Sequence, residues 1–197
     1  MSHKQQWDFC NGVKEKHPSY FKNAKVLDIG SFDVNGNEEF LFENCEFDGL
    51  DLGPGPGVTI VCPAQDYNAP DEHYDTIISC ECWEHNPFYA QSIINALRML
   101  KRNGLFLFTC ATTGRPVHGV ASLEKASKSK NLSWKTMPNV SRLEWDNEYY
   151  KNLTEDDIRK IVDIEKSFSS FAFSVNKEHC DLYFWGIKSN AETCLYS

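Results

Sequence analysis

The chain has 197 residues, 41% hydrophobic and 24% charged, with 11 Gly and 8 Pro, a composition that suits one folded domain over residues 1–197 and excludes disorder over most of the length. Its formal net charge of −8 disfavours long nucleic acid as a partner, because binding such tracts is driven by phosphate neutralisation. No window approaches the roughly 20 apolar residues of a membrane span, and Met1 to Gln6 lacks an apolar signal core, so a cytoplasmic protein is expected.

Residues 5–17 read as an amphipathic helix carrying Trp7, Cys10 and Val13, interrupted by Pro18. Lys25 to Ile29 is a short apolar strand, followed by a loop with Gly30 and Gly36, a short helix over 38–43 and a second strand, Phe47 to Leu52. The Gly53-Pro-Gly-Pro-Gly57 run is a turn into strand 3, Val58 to Cys62. Tyr74 to Ser79 is an apolar run of the kind buried on both faces of a parallel sheet. Asn86 and Pro87 cap and open a helix with Ala90, Ile93, Ile94, Leu97 and Leu100 at helical spacing, ending at Asn103-Gly104. Strand 5, Leu105 to Cys110, follows directly, and the alternation implies an α/β, Rossmann-like doubly wound sheet.

After Gly119 the periodicity is lost. Residues 112–150 form a lid or substrate-side insertion in this reading, because Trp134, Trp145, Tyr149 and Tyr150 are unusual in a mere linker. Between Gly114 and Arg142 it carries Arg115, Lys125, Lys128, Lys130, Lys135 and Arg142 against the single acid Glu124, either a solvated basic loop or an anion-binding lid. Thr154 to Asp157 is a capping-box start for a helix with Ile158, Ile161 and Val162 on its apolar face. Phe171, Phe173 and Val175, then Asp181 to Ile187, make an antiparallel hairpin about a turn at Asn176 to His179.

Strands 1 and 2 both carry an acid at or near their ends, Asp28 and Asp51, which is the layout of a nucleoside-binding crevice. A dinucleotide site wants G-x-G-x-x-G, but Phe32 stands two residues after Gly30 and no phosphate cradle is evident, which argues against an NAD-dependent oxidoreductase. S-adenosyl-L-methionine has no phosphate. Asp28, Gly30 and Ser31, with the Asp33 to Gly36 turn and Asn35, would take its methionine part. Asp51 would take the ribose and Asp66, with Gln65, the adenine, and Leu52, Ala64 and Cys80 are further expected cofactor-binding residues.

Val26-Leu-Asp-Ile-Gly30, Gly49-Leu-Asp51, Ala64-Gln-Asp66, Tyr74 to Ile78 and Leu100 to Phe108 together resemble the successive motifs of a class I S-adenosylmethionine-dependent methyltransferase. The likeness covers roughly residues 20–115 and departs from the family's D-x-G-x-G-x-G at Asp28-Ile-Gly-Ser-Phe-Asp-Val-Asn-Gly36. It implies seven strands in the order 3-2-1-4-5-7-6, mostly parallel with an antiparallel strand in the C-terminal hairpin. It also implies transfer of a methyl group to an O or N atom of a small polar acceptor.

Beyond strand 4 lies Glu81-x-x-Glu84-His85, and His118 follows strand 5. These four are the expected catalytic residues, with His85 the principal base. Two carboxylates and two imidazoles are also a donor set for a divalent metal, Mg or Mn by their oxygens. The cluster is similar to that of metal-dependent small-RNA 2′-O-methyltransferases, so metal-assisted methylation of an RNA or nucleotide end is an alternative. Glu-His after strand 4 is also widespread in metal-free members of the superfamily. A protein that binds the adenosine cofactor without turnover is the rival from another class. Trp83 is core wall or stacking platform, and Tyr89 and Arg115 are candidates at the acceptor side. The eight scattered cysteines show no zinc spacing and are expected to be reduced.

Overall fold

A computed structural model describes residues 4–33, 36–118 and 149–190. Seven strands form one sheet in the order β3-β2-β1-β4-β5-β7-β6. They are β1 Lys25–Ile29, β2 Glu46–Asp51, β3 Ile60–Val61, β4 Tyr74–Cys80, β5 Leu100–Ala111, β6 Phe168–Asn176 and β7 Asp181–Lys188. The first five pair in parallel, and β7 runs antiparallel to both β5 and β6. The order and the reversed hairpin agree with the sequence expectation.

Helices lie on both faces. Helix α1, Lys4–Lys16, buries Cys10 and Val13 against Val26, Ile78, Cys80, Leu105, Leu107 and Trp185. Helix α2, Tyr89–Met99, packs Ile93, Ala96 and Leu97 on the other side with Leu27, Ile29, Ile77, Phe106 and Phe108. Strand alternation explains the division, since successive side chains point to opposite faces. It also sends Asp28 and Cys80 toward α1, in step with Val26 and Ile78.

Several elements differ from expectation: strand β3 is only Ile60–Val61 rather than Val58 to Cys62, and the helix after Thr154 ends at Arg159, before Ile161 and Val162. The helix expected over 38–43 is a single 3-10 turn, Glu39–Leu41; the α1 face is already filled by α1, so no longer helix is needed there. Helix α2 begins at Tyr89 rather than Pro87; Trp83–His85 first makes a separate 3-10 turn and Asn86 Oδ1 accepts from Phe88 N–H. It also stops at Met99, and β5 starts at Leu100 rather than Leu105. There Leu100 pairs with Tyr74, the register shifts, and Asn103 takes φ +58 before regular pairing resumes at Leu105. The buried Lys188 ammonium donates to Leu97 O and Leu100 O, both at 2.7 Å, satisfying carbonyls that the end of the helix leaves open.

After the 119–148 stretch, which lies outside the described residues along with most of the expected lid, the chain returns alongside the end of β5. Lys151 N donates to Glu84 O and Leu153 N to Ala111 O, both at 2.9 Å. Helix α3, Glu155–Arg159, carries the expected capping box: Thr154 Oγ1 accepts from Asp157 N, and Asp157 Oδ2 accepts from Thr154 N. Thr154→Ala is therefore expected to cost about 1 kcal/mol of stability, read by urea denaturation. A four-residue helix α4, Ile164–Ser167, leads into β6.

Candidate active site

Every element that bears a candidate residue reaches the carboxyl ends of the parallel strands, where open α/β sheets hold their ligands. Gly30 follows β1 at φ +85, a conformation that suits glycine. A Cβ there would also meet Cys82 Cβ at 2.7 Å. Gly30 N and Ser31 N both donate to Leu50 O, at 2.8 and 3.2 Å, tying the loop to β2. Asp51 then closes the turn. Its Oδ2 accepts from Phe32 N at 3.1 Å and its Oδ1 from Leu52 N at 2.6 Å. Burial raises the proton affinity of Asp51, and the backbone N–H groups of Phe32, Leu52 and Gly53 oppose that rise.

Phe32 has its own accommodation. A Cβ at Gly55 would stand 1.8 Å from the Phe32 ring, so the post-β2 turn is bare where the ring lies against it. That turn also meets the loop through Asp33 N, which donates to Pro56 O at 2.9 Å. Gly36 N donates to Asp33 Oδ1 at 2.6 Å. Asn35 lies outside the described residues.

Asp28 is 1% exposed, and its Oδ2 has no hydrogen-bond partner among the described residues; Ser31 Oγ, in a residue 2% exposed, is likewise unpartnered. Burial pushes the Asp28 carboxyl well up from its ordinary range, and the charges of Glu38, Asp51 and Glu39 add to it. Orphaned polar atoms of this kind are costly unless a ligand completes them. Ala64, Gln65 and Asp66 sit where Asn95 of α2 donates to Ala64 O and Tyr67 O, at 2.8 and 2.9 Å. Ala64 is buried and Asp66 exposed. Cys80 faces α1, with its Sγ 4.0 Å from Cys10 Sγ.

The four expected catalytic side chains divide into two groups. Glu84, His85 and His118 each offer a donor atom within 4.8 Å of the others. The rings of His85 and His118 stand edge-to-face at 5.1 Å, and Tyr150 joins them at 5.5 and 5.0 Å. Glu84 is fully buried, with neither carboxylate oxygen partnered among the described residues, and the Tyr150 hydroxyl is unpartnered too. Burial pushes the Glu84 carboxyl up to about 8, with help from the charge of Glu81. Burial draws His85 down to about 3, with His118 adding to the shift, and burial lowers His118 as well.

Glu81 belongs to a different network. It adopts φ +53, accepts from Thr109 Oγ1 at 2.9 Å and lies 3.9 Å from Arg115. Arg115 also donates to Asp181 at 2.8 Å and to His179 O at 2.6 Å. Trp83 is fully buried in the α2-side core. Sequence reading did not place Tyr150, Gln6 or Glu38 in the site. Tyr150 was legible only as an aromatic in a lid, and the other two gave no local signal.

Residues 39–108 match the family model of a methyltransferase domain. The sheet order is the one shared by class I methyltransferase folds. Among solved structures it superposes on Burkholderia thailandensis 1,6-didemethyltoxoflavin-N1-methyltransferase with a TM-score of 0.55 at 11% identity, covering 96% of this chain and 93% of that one. Haemonchus contortus phosphoethanolamine N-methyltransferase 2 gives 0.61 at 14% identity, over 93% of this chain and 53% of that one. The CurJ carbon methyltransferase gives 0.52 at 12%, over 92% of this chain and 52% of that one. The domain thus spans about half the length of the latter two. No curated protein matches it in sequence. Among the described residues, no helix is long and apolar enough to cross a membrane.

Proposed function

We propose that the protein transfers the methyl group of S-adenosylmethionine to an O or N atom of a small polar acceptor. The observation that carries this reading is the buried Glu84 carboxyl, without a partner among the described residues, beside the imidazoles of His85 and His118. When bound, the cofactor supplies an electrophilic methyl on a sulfonium. Asp28 and Ser31 fit its methionine part because both present buried polar atoms in need of partners. Asp51 faces the ribose in this reading, with two backbone N–H groups fixing its carboxylate.

Methyl transfer demands alignment of acceptor and sulfonium, with removal of a proton from a hydroxyl or ammonium. Glu84 serves as the proton acceptor. Its raised affinity for a proton places it near neutral pH, where a general base works best. His85 and His118 are neutral and can each accept or donate a hydrogen bond, and Tyr150 adds a hydroxyl and a ring wall. Seven described cysteines are free thiols, which supports placing the protein in the reducing cytosol.

The test is calorimetric titration with S-adenosylmethionine followed by a methyl-release assay over pools of small amines, hydroxyl compounds and nucleotides. Micromolar binding with turnover on one pool is expected. Binding with no turnover on any pool would favour a non-catalytic adenosine-cofactor protein.

A second reading rests on the 4.8 Å cluster alone: Glu84, His85 and His118 could hold a divalent cation, Mg or Mn, for methylation of a nucleotide or RNA end. Glu81 is turned to Thr109 and Arg115, so the ligand set is three rather than the four expected. Turnover measured before and after chelation is expected to be unchanged; loss restored by Mg or Mn would establish the metal.

A further inference from the structure

The crevice below the first loop is completed from an element that standard strand-end reasoning leaves out. Glu38, which opens the 3-10 turn, is 4% exposed, and its Oε1 accepts from Gln6 Nε2 at 2.5 Å. Gln6 is fully buried on α1, one turn before Cys10, which meets Cys80 of β4. Asp28 points to this same face. Its Oδ2 is buried and has no partner among the described residues, and Glu38 is the nearby charge with the largest effect on it. Trp7, next to Gln6, forms the outer wall: its ring lies 3.1 Å from where a Cβ at Gly36 would stand, and Phe40 packs edge-on to it at 5.8 Å.

Two carboxyl groups, one from β1 and one held by α1, therefore lie on the same face of the sheet, beside a loop whose Gly30 and Gly36 let Cys82 and Trp7 approach closely. An ammonium group, with three N–H donors and a positive charge, is the ligand chemistry that completes the Asp28 oxygen while lying against the charge of Glu38. Building on the cofactor assignment above, we infer that Glu38, positioned by Gln6, shares with Asp28 the α-ammonium of the cofactor's methionine part, making α1 a wall of the cofactor site. The carboxylates add charge-assisted hydrogen bonds that a ligand without the amino-acid tail does not receive.

The experiment compares two probes on the full chain by calorimetry: S-adenosylhomocysteine, and 5′-methylthioadenosine, which keeps the adenosine and thioether but lacks the ammonium and carboxylate. The wild type is expected to bind S-adenosylhomocysteine at least about tenfold more tightly. Glu38→Gln should weaken that ligand about tenfold and leave 5′-methylthioadenosine within about twofold. Gln6→Met, which keeps volume and leaves every charge in place, should shift the same ligand in the same direction and provides the answer if Glu38→Gln fails to fold.

Equal losses for both probes would overturn the inference, as would unchanged or tighter binding of S-adenosylhomocysteine by Glu38→Gln. Failure of the folded wild type to bind either probe would instead remove the cofactor assignment itself.

Discussion

Glu84→Gln is expected to lower kcat by about 10²- to 10³-fold while leaving cofactor affinity within about twofold, because the amide keeps the shape but cannot accept a proton. The pH dependence gives the prediction a second signature. Burial pushes Glu84 up to about 8, so the wild-type rate should climb as pH rises through about 8 and then level. His85, drawn down to about 3, stays neutral throughout and adds no inflection. The variant should lose the limb near 8.

Stability provides a third readout, with a definite sign. Folded Glu84 keeps its proton up to about 8, whereas the unfolded chain gives it up near its ordinary value, so the folded state binds more protons between the two. Its contribution to stability is lost as pH rises across that window and levels off above it. The glutamine variant has no such loss and should melt above the wild type at pH 9, with little difference at pH 4.5. Wild-type-like melting at both pH values would show that Glu84 is not the titrating acid.

Gly49→Ala should be the most damaging single methyl in the crevice. A Cβ there would lie 1.9 Å from Gly57 O and 2.8 Å from Ser31 Oγ. A rotamer change could relieve the second contact, but the first is with backbone, so the turn carrying Gly53 to Gly57 must move away from β2. A loss of about 3 kcal/mol follows from overpacking of that kind. Cofactor binding should fall as well, since Asp33 is tied to Pro56 of the same turn. Gly12→Ala is the opposite case. It lies in α1 with nothing within 4 Å of its Cβ position, and the gain in helix propensity should raise stability by about 0.5–1 kcal/mol. Urea denaturation of both variants checks the pair, and a Gly49→Ala protein as stable as wild type would refute the packing account.

The sheet was legible in the sequence because its signals are local. Apolar runs such as Tyr74 to Ser79 and the helical spacing of Ile93, Ile94 and Leu97 state their structure within a few residues. The Thr154 capping box is readable for the same reason. Element ends were less so: whether α2 stops at Met99 or Gly104 is decided by Lys188, far away in sequence, and by pairing of Leu100 with Tyr74. In the site, the motif grouped Glu81 with Glu84, but the positive φ of Glu81 and its bond to Thr109 separate them. Gln6 and Glu38 were invisible because a hydrogen bond across 32 positions leaves no trace in a local pattern. Tyr150 is in the same category, since the bonds that set its neighbour Lys151 beside Glu84 form after a long excursion of the chain.

The contact between Phe32 and the bare backbone of Gly55 links the histories of two distant positions. A lineage that shrinks the ring frees its opposite neighbour to carry a side chain, whereas one that enlarges residue 55 first must displace the ring and open the pocket mouth. The two sites should therefore drift as a couple, and a comparison of descendants should find bulk at one or the other, never at both.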